Sequence, residues 1–135
     1  MPLQIRDFSD SSQIWVVAAC FNEEAVICKF IERVICLKGV SRLVLIDDGS
    51  KDETVTKIRN WINSNSDNTD YPIVTLLELT RNFGKEAAML AGLDYSNGQC
   101  DGVILIDSDL QHPPELIEDM VQAWREGAEI VTAVR

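Results

Sequence analysis

Val103-Ile104-Leu105-Ile106-Asp107-Ser108-Asp109-Leu110-Gln111-His112-Pro113-Pro114-Glu115 is the stretch that decides the fold. Four apolar residues, three of them β-branched, form a short run suited to a buried strand, and Pro113-Pro114 opens a helix. Between them stand two carboxylates, Asp107 and Asp109, at the carboxyl end of the strand. In an open α/β sheet this is the edge where ligands bind. Two hard oxygen donors on a rigid strand end suit a divalent cation that also grips a phosphate, because Mg²⁺ takes few protein ligands and shares the rest with water and phosphate oxygens. Position carries this reading. With twelve Asp in 135 residues, an Asp-x-Asp pair by itself has little weight.

Outward from that stretch, strands and helices alternate. Residues 1–13 are a polar lead-in. Ile14 to Phe21 is the first strand. Asn22-Glu23-Glu24 halts it and starts a helix in which Val26, Ile27, Phe30, Ile31, Val34 and Ile35 recur at helical spacing, with Gly39 as its stop. Arg42 to Ile46 is the second strand; Asp47-Asp48-Gly49-Ser50 follows, and Ser50 or Asp52 suits the cap of a helix carrying Val55, Ile58 and Ile62. The polar run Asn63 to Tyr71 reads as a surface connection. Pro72 to Leu79 is the third strand, Glu86 to Tyr95 an Ala-rich helix, and Leu116 to Trp124 the helix after the opening stretch, stopped by Gly127. Glu129 to Val134 reads as a fifth strand. The alternation predicts a doubly wound, mainly parallel α/β sheet with helices on both faces.

Twelve basic against twenty-two acidic residues give a net charge of −10, which disfavours a nucleic-acid partner. The apolar runs are too short for a membrane span, and the acidic N-terminus lacks a signal peptide's features, so the chain as given is expected to be soluble and cytoplasmic. Cys20, Cys28, Cys36 and Cys100 form no Cys-x-x-Cys pair and read as reduced core thiols.

The polar residues gather at strand ends: Asn22 and Glu23, Asp47 and Asp48, Asp107 and Asp109. Parallel strands project all three groups to one side, and such an acid cluster calls for a cation or hydrogen-bond donors. Asp47, Asp48 and Asp52 also suit plain helix capping. No Gly-x-Gly-x-x-Gly or Gly-x-x-x-x-Gly-Lys is present, which argues against a dinucleotide fold or a P-loop. Arg81 and Lys85 are the basic residues best placed for phosphate or base contacts, with a solvated helix start the plainer role for Lys85. His112 reads as a structural turn residue.

Taken together, Ala19-Cys20-Phe21-Asn22-Glu23-Glu24, Asp47-Asp48-Gly49-Ser50-Lys51-Asp52, Arg81-Asn82-Phe83-Gly84-Lys85 and the Asp107 to Glu115 run resemble the family 2 glycosyltransferases of GT-A fold. The resemblance is nearest to the dolichyl-phosphate mannose synthase and bactoprenol (polyprenyl-phosphate) glucosyltransferase branch. One departure is visible: Ala19 and Phe21 stand where the family usually has Pro and Tyr. The resemblance implies a nucleotide sugar donor of UDP-glucose or GDP-mannose type and a Mg²⁺ or Mn²⁺ ion on Asp107, Asp109 and Gln111, the two Asp being catalytic. It implies a base and ribose pocket from Glu23, Asp47 and Arg81, extended by Ala19, Phe21, Asp48, Lys85 and Ser108. It implies inverting transfer to a polyprenyl or dolichyl phosphate. Residues 14–135 are then the donor-binding part of a domain cut short at its C-terminal end. Membrane contact, on the cytoplasmic face, is expected only through segments outside this chain. A glycosyltransferase acting on a sugar hydroxyl, or a non-catalytic nucleotide- or metal-binding module, is the alternative. A nucleotidyltransferase would want a Gly-rich basic loop after the first strand, which Ala19 to Glu24 is not.

Overall fold

The computed structural model describes residues 13–111 and 113–126. Eight elements alternate as the sequence predicts: β1 (Ile14–Cys20), α1 (Ile27–Ile35), β2 (Arg42–Asp47), α2 (Thr54–Asn65), β3 (Ile73–Glu78), α3 (Lys85–Ser96), β4 (Gly102–Leu105) and α4 (Leu116–Arg125). Residues 1–12 of the lead-in, His112 and the expected fifth strand lie outside the described residues.

The strands pair in parallel in the order β3-β2-β1-β4. The chain steps outward from β1 to β3, then returns across the sheet to add β4 on the other side of β1. This reversal makes the carboxyl ends of β1 and β4 the switch point of the sheet, where a crevice opens in doubly wound folds. It also decides where the helices go. Right-handed crossovers in opposite directions put helices on opposite faces, and two separate cores result.

On one face Ile14, Val16, Ala18 and Cys20 of β1 and Leu43 and Leu45 of β2 pack with Phe30, Ile31 and Val34 of α1, Ile58 of α2 and Ile117 and Val121 of α4. On the other, Trp15 and Val17 of β1 and Val44 and Ile46 of β2 meet Ala88 of α3. The period-two division shows why β1 is apolar throughout: both of its sides are buried. Helix α1 buries Ile27, Phe30, Ile31, Val34 and Ile35, one stripe at three- and four-residue steps. Helix α3 lies close to the sheet because it buries small residues: Ala88, Gly92 and Ser96. A Cβ on Gly92 would stand 2.4 Å from Val17 Cγ1 and 2.6 Å from Ile46 Cδ1. The Ser96 hydroxyl, buried there, donates to the Gly92 carbonyl at 2.7 Å.

The structure corrects four local expectations. Helix α1 begins at Ile27, not at the Asn22–Glu24 turn, and ends at Ile35; Gly39 lies beyond it at φ +90°. Helix α2 runs on to Asn65, so Asn63 to Asn65 belong to it and not to the connection. Ser50 does not cap α2: its hydroxyl accepts from the Asn22 N–H at 2.8 Å, while Asp52 accepts from the Thr54 N–H at 3.0 Å. The thiols are free, as expected, but Cys36 is exposed and not part of the core.

Candidate functional site

The register brings the strand ends together. Cys20 pairs with Asp47 across β1 and β2, and Val17 with Leu105 across β1 and β4, which puts Asp107 near Ala19. Ser108 locks this arrangement; its buried hydroxyl donates to the Ala19 carbonyl at 2.9 Å. A pocket of about 370 Å³ opens at this point. Ala19 and Cys20 line it from the end of β1 and Phe21 and Glu23 from the turn after it, Asp48 from just past β2, Lys85 from the start of α3, and Asp107, Ser108 and Asp109 from the segment after β4.

Six of the eight residues expected at a nucleotide therefore share one pocket: Ala19, Phe21, Glu23, Asp48, Lys85 and Ser108. Asp47 and Arg81 are not among its walls. Asp47 lies just beneath, 3% exposed. Its Oδ2 accepts from the Ser50 N–H at 2.9 Å, while Oδ1 is buried and accepts no hydrogen bond from the described residues. A buried acceptor left unsatisfied costs about 1–3 kcal/mol, which marks this oxygen for a donor from elsewhere. Arg81 stacks its guanidinium over the exposed Phe83 ring, 4.1 Å from the centroid. Gln111 donates its N–H to Asp109 Oδ1 at 3.0 Å, closing a turn in which Leu110 takes φ +65°.

Asp48 has a role that the sequence did not disclose. Its carboxylate accepts from the Phe83 N–H at 2.8 Å, the Gly84 N–H at 3.1 Å and the Asn82 side-chain amide at 3.2 Å. The last residues before α3 thus hang on one buried side chain, which gives the helix N-terminus the anion that its dipole favours. Gly49 permits the approach. It sits at φ +76°, and a Cβ there would stand 2.5 Å from the Arg81 carbonyl carbon and the Asn82 nitrogen.

A second set of bonds joins the β1 and β2 ends. Asn22, at φ +53°, accepts the Lys51 N–H at 2.9 Å, the Thr54 hydroxyl accepts the Glu23 N–H at 2.8 Å, and Asp52 accepts the Glu24 N–H at 3.3 Å. Nothing in the sequence singled out Thr54, since a threonine at a helix start is ordinary. Its complete burial is the sign of its role.

The pocket is electrostatically acidic. Burial, then the charges of Asp109, Asp52 and Asp107, push the Glu23 carboxyl above its ordinary value. Burial first, and Asp47 and Glu23 after it, push the Cys20 thiol far up, so it stays a neutral thiol. Lys85 is the cation in the pocket and forms an ion pair with Asp107 Oδ1.

Residues 15–135 match the family profile described as Glycosyl transferase family 2. The chain belongs to that family. The bactoprenol glucosyl transferase of Shigella phage SfV is 41% identical over 127 residues, 91% of this chain and 39% of its own length. An undecaprenyl-phosphate 4-deoxy-4-formamido-L-arabinose transferase of Pseudomonas fluorescens is 36% identical over 124 residues, 89% of this chain and 34% of its own. The family 2 chain thus spans well under half the length of these relatives. Among solved structures, glucosyl-3-phosphoglycerate synthase of Mycobacterium tuberculosis, in complex with Mn²⁺, UDP and glucosyl-3-phosphoglycerate, superposes with a TM-score of 0.65 at 26% identity. That match covers 89% of this chain and 42% of the synthase chain. The architecture of the family 2 domain is the GT-A fold, as the strand-end motifs led one to expect. No helix among the described residues is long and apolar enough to cross a membrane.

Proposed function

We propose that this chain is the donor-binding part of a metal-dependent, inverting glycosyltransferase that passes a sugar from a nucleoside diphosphate to a polyprenyl phosphate. The single observation that carries the reading is the switch-point pocket, where Asp107 and Asp109 stand beside Glu23 and Lys85 in a volume of about 370 Å³. The names of the phage and Pseudomonas relatives support a polyprenyl-type acceptor, and the Mn²⁺ and UDP in the mycobacterial synthase support the donor chemistry.

The donor set fits a Mg²⁺ or Mn²⁺ ion. Asp107 and Asp109 offer hard carboxylate oxygens in the pocket wall, while the exposed Gln111 side chain is not part of that wall and would have to turn in to add a third oxygen; no cluster of three or more His, Cys, Asp or Glu side chains suited to a metal forms among the described residues. A site of that kind leaves positions for water and diphosphate oxygens, as these cations prefer. When bound, such an ion stabilises the negative charge that develops on the leaving diphosphate. The chain's own groups hold the donor. Asp47 Oδ1 accepts a base N–H, Ala19 and Phe21 form the wall beside the nucleoside, and the Lys85 ammonium neutralises a diphosphate oxygen. A phosphate acceptor is already anionic near neutral pH, so the transfer asks no side chain to remove a proton. Direct displacement inverts the anomeric centre.

Asp47→Asn tests the base contact. The Asn carbonyl keeps the Ser50 N–H bond and its amide replaces the unpartnered oxygen with a donor. UDP affinity measured without metal is expected to fall about tenfold or more, with no loss of melting temperature. Unchanged affinity assigns the buried oxygen a purely structural place. The division of labour is tested with UDP-glucose, Mn²⁺ and undecaprenyl phosphate in detergent. The chain is expected to bind the donor and form no glycolipid under conditions where the full-length phage relative does, because both substrates must be aligned and that alignment is worth about 7–11 kcal/mol of barrier. Glycolipid at a comparable rate puts the acceptor site inside these 135 residues and ends the half-site reading.

A further inference from the structure

Lys85 occupies a place that helix electrostatics do not favour. It is the first residue of α3, where the positive end of the helix dipole disfavours a cation. It is nevertheless drawn inward, onto Asp107 Oδ1. The pairing is built, because the Asp48 carboxylate fixes the Phe83 and Gly84 N–H groups and so fixes where α3 begins. The two partners differ in freedom. The Asp107 side chain is 14% exposed and fixed on the strand end, whereas that of Lys85 is 57% exposed on a flexible four-carbon stem. Asp109, Glu23 and Asp48 line the same pocket.

We propose that Lys85 is a resident counter-cation, holding the Asp107 oxygen while the pocket is empty and giving it up to the metal as the ammonium turns to the incoming diphosphate. This rests on the metal and diphosphate reading above. Two cations on one carboxylate oxygen repel, so the ion pair weakens metal binding to the empty pocket. A nucleotide offers the ammonium a new anionic partner and releases the oxygen. Metal and nucleotide therefore bind with positive coupling, and coupling of this kind is reciprocal. The device offsets part of the negative charge of the empty pocket and ties metal capture to arrival of the donor.

Lys85→Met removes the ammonium and keeps much of the stem's packing. Mn²⁺ binding by the 135-residue chain, followed by electron paramagnetic resonance with and without UDP, distinguishes the roles. Without UDP, the variant is expected to bind Mn²⁺ about three- to fivefold more tightly than the parent, the range of a partly exposed ion pair. With saturating UDP it is expected to bind Mn²⁺ about as tightly as the parent, so the strengthening by UDP shrinks about three- to fivefold, while its UDP affinity without metal falls about tenfold because a charged contact to phosphate is gone. Lys85→Arg, which keeps the charge, is expected to stay near the parent in both. A residue that only supports the fold lowers both affinities, and one that only contacts nucleotide leaves the UDP-free value unchanged; either result overturns the proposal. A parent chain that binds Mn²⁺ with no strengthening by UDP overturns it also. A parent that binds no Mn²⁺ under either condition removes the metal reading itself, and the proposal with it.

Discussion

Asp109→Asn is expected to lower Mn²⁺-dependent UDP affinity by about a hundredfold or more, since even outer-shell partners of metal ligands commonly cost 10–100-fold when removed. The substitution isolates charge from architecture. Asp109 Oδ1 accepts the Gln111 N–H at 3.0 Å, and the Asn carbonyl accepts the same bond, so the Leu110 turn is kept. The packing that holds β4 in place comes from Ile104 and Ile106, which the change does not touch. Melting temperature should therefore hold while the metal-dependent increment of binding disappears. A variant that binds UDP as well as the parent in Mn²⁺ would place the cation elsewhere.

Gly49→Ala is expected to damage both stability and binding. The left-handed backbone costs about 1–2 kcal/mol for a residue with a Cβ, and forcing an extra carbon into a filled space costs about 1–3 kcal/mol. Here the space is filled by backbone. The new carbon would stand 2.5 Å from the Arg81 carbonyl carbon and the Asn82 nitrogen, so no side-chain rotation relieves the contact. The loop must move, and with it the three donors that Asp48 holds and the Lys85 start of α3. A loss of about 2–5 kcal/mol in urea unfolding is expected, together with weaker nucleotide binding at temperatures where the variant remains folded. Parent-like unfolding and UDP binding would show that the 81–84 loop is not held against Gly49 in solution.

The two predictions rest on features of different legibility. Strands β1 and β2 were readable because burial on both faces demands unbroken apolar runs, and β4 keeps such a run in Val103 to Ile106 although Val103 and Leu105 are only half-buried; the acids after them stand out as interruptions. Asp107 and Asp109 needed only that local contrast. The start of α1 was not readable, because Asn22, Glu23 and Glu24 are held out of the helix by Ser50, Thr54 and Asp52, partners 28 to 31 residues away. Local capping signals cannot report such bonds. Asp48 was hidden for the same reason. A second Asp after a strand looks like a ligand or a cap, and only the fold shows its carboxylate turned to the N–H groups of residues 83 and 84. The end of α2 was missed differently: Asn63 and Asn65 read as loop by composition, yet the Asn65 amide donates to the Trp61 carbonyl at 2.8 Å within the helix.

Both the Asp109 and Lys85 predictions assume that a cation joins nucleotide to protein at the switch point. Calorimetric titration of UDP into the 135-residue chain, with Mn²⁺ and with a chelator, tests this without any substitution or acceptor. The expected result is binding at least about tenfold tighter in Mn²⁺, a difference of about 1.4 kcal/mol. Equal affinity under the two conditions would contradict it and leave Asp107 and Asp109 as strand-end acids without a shared metal.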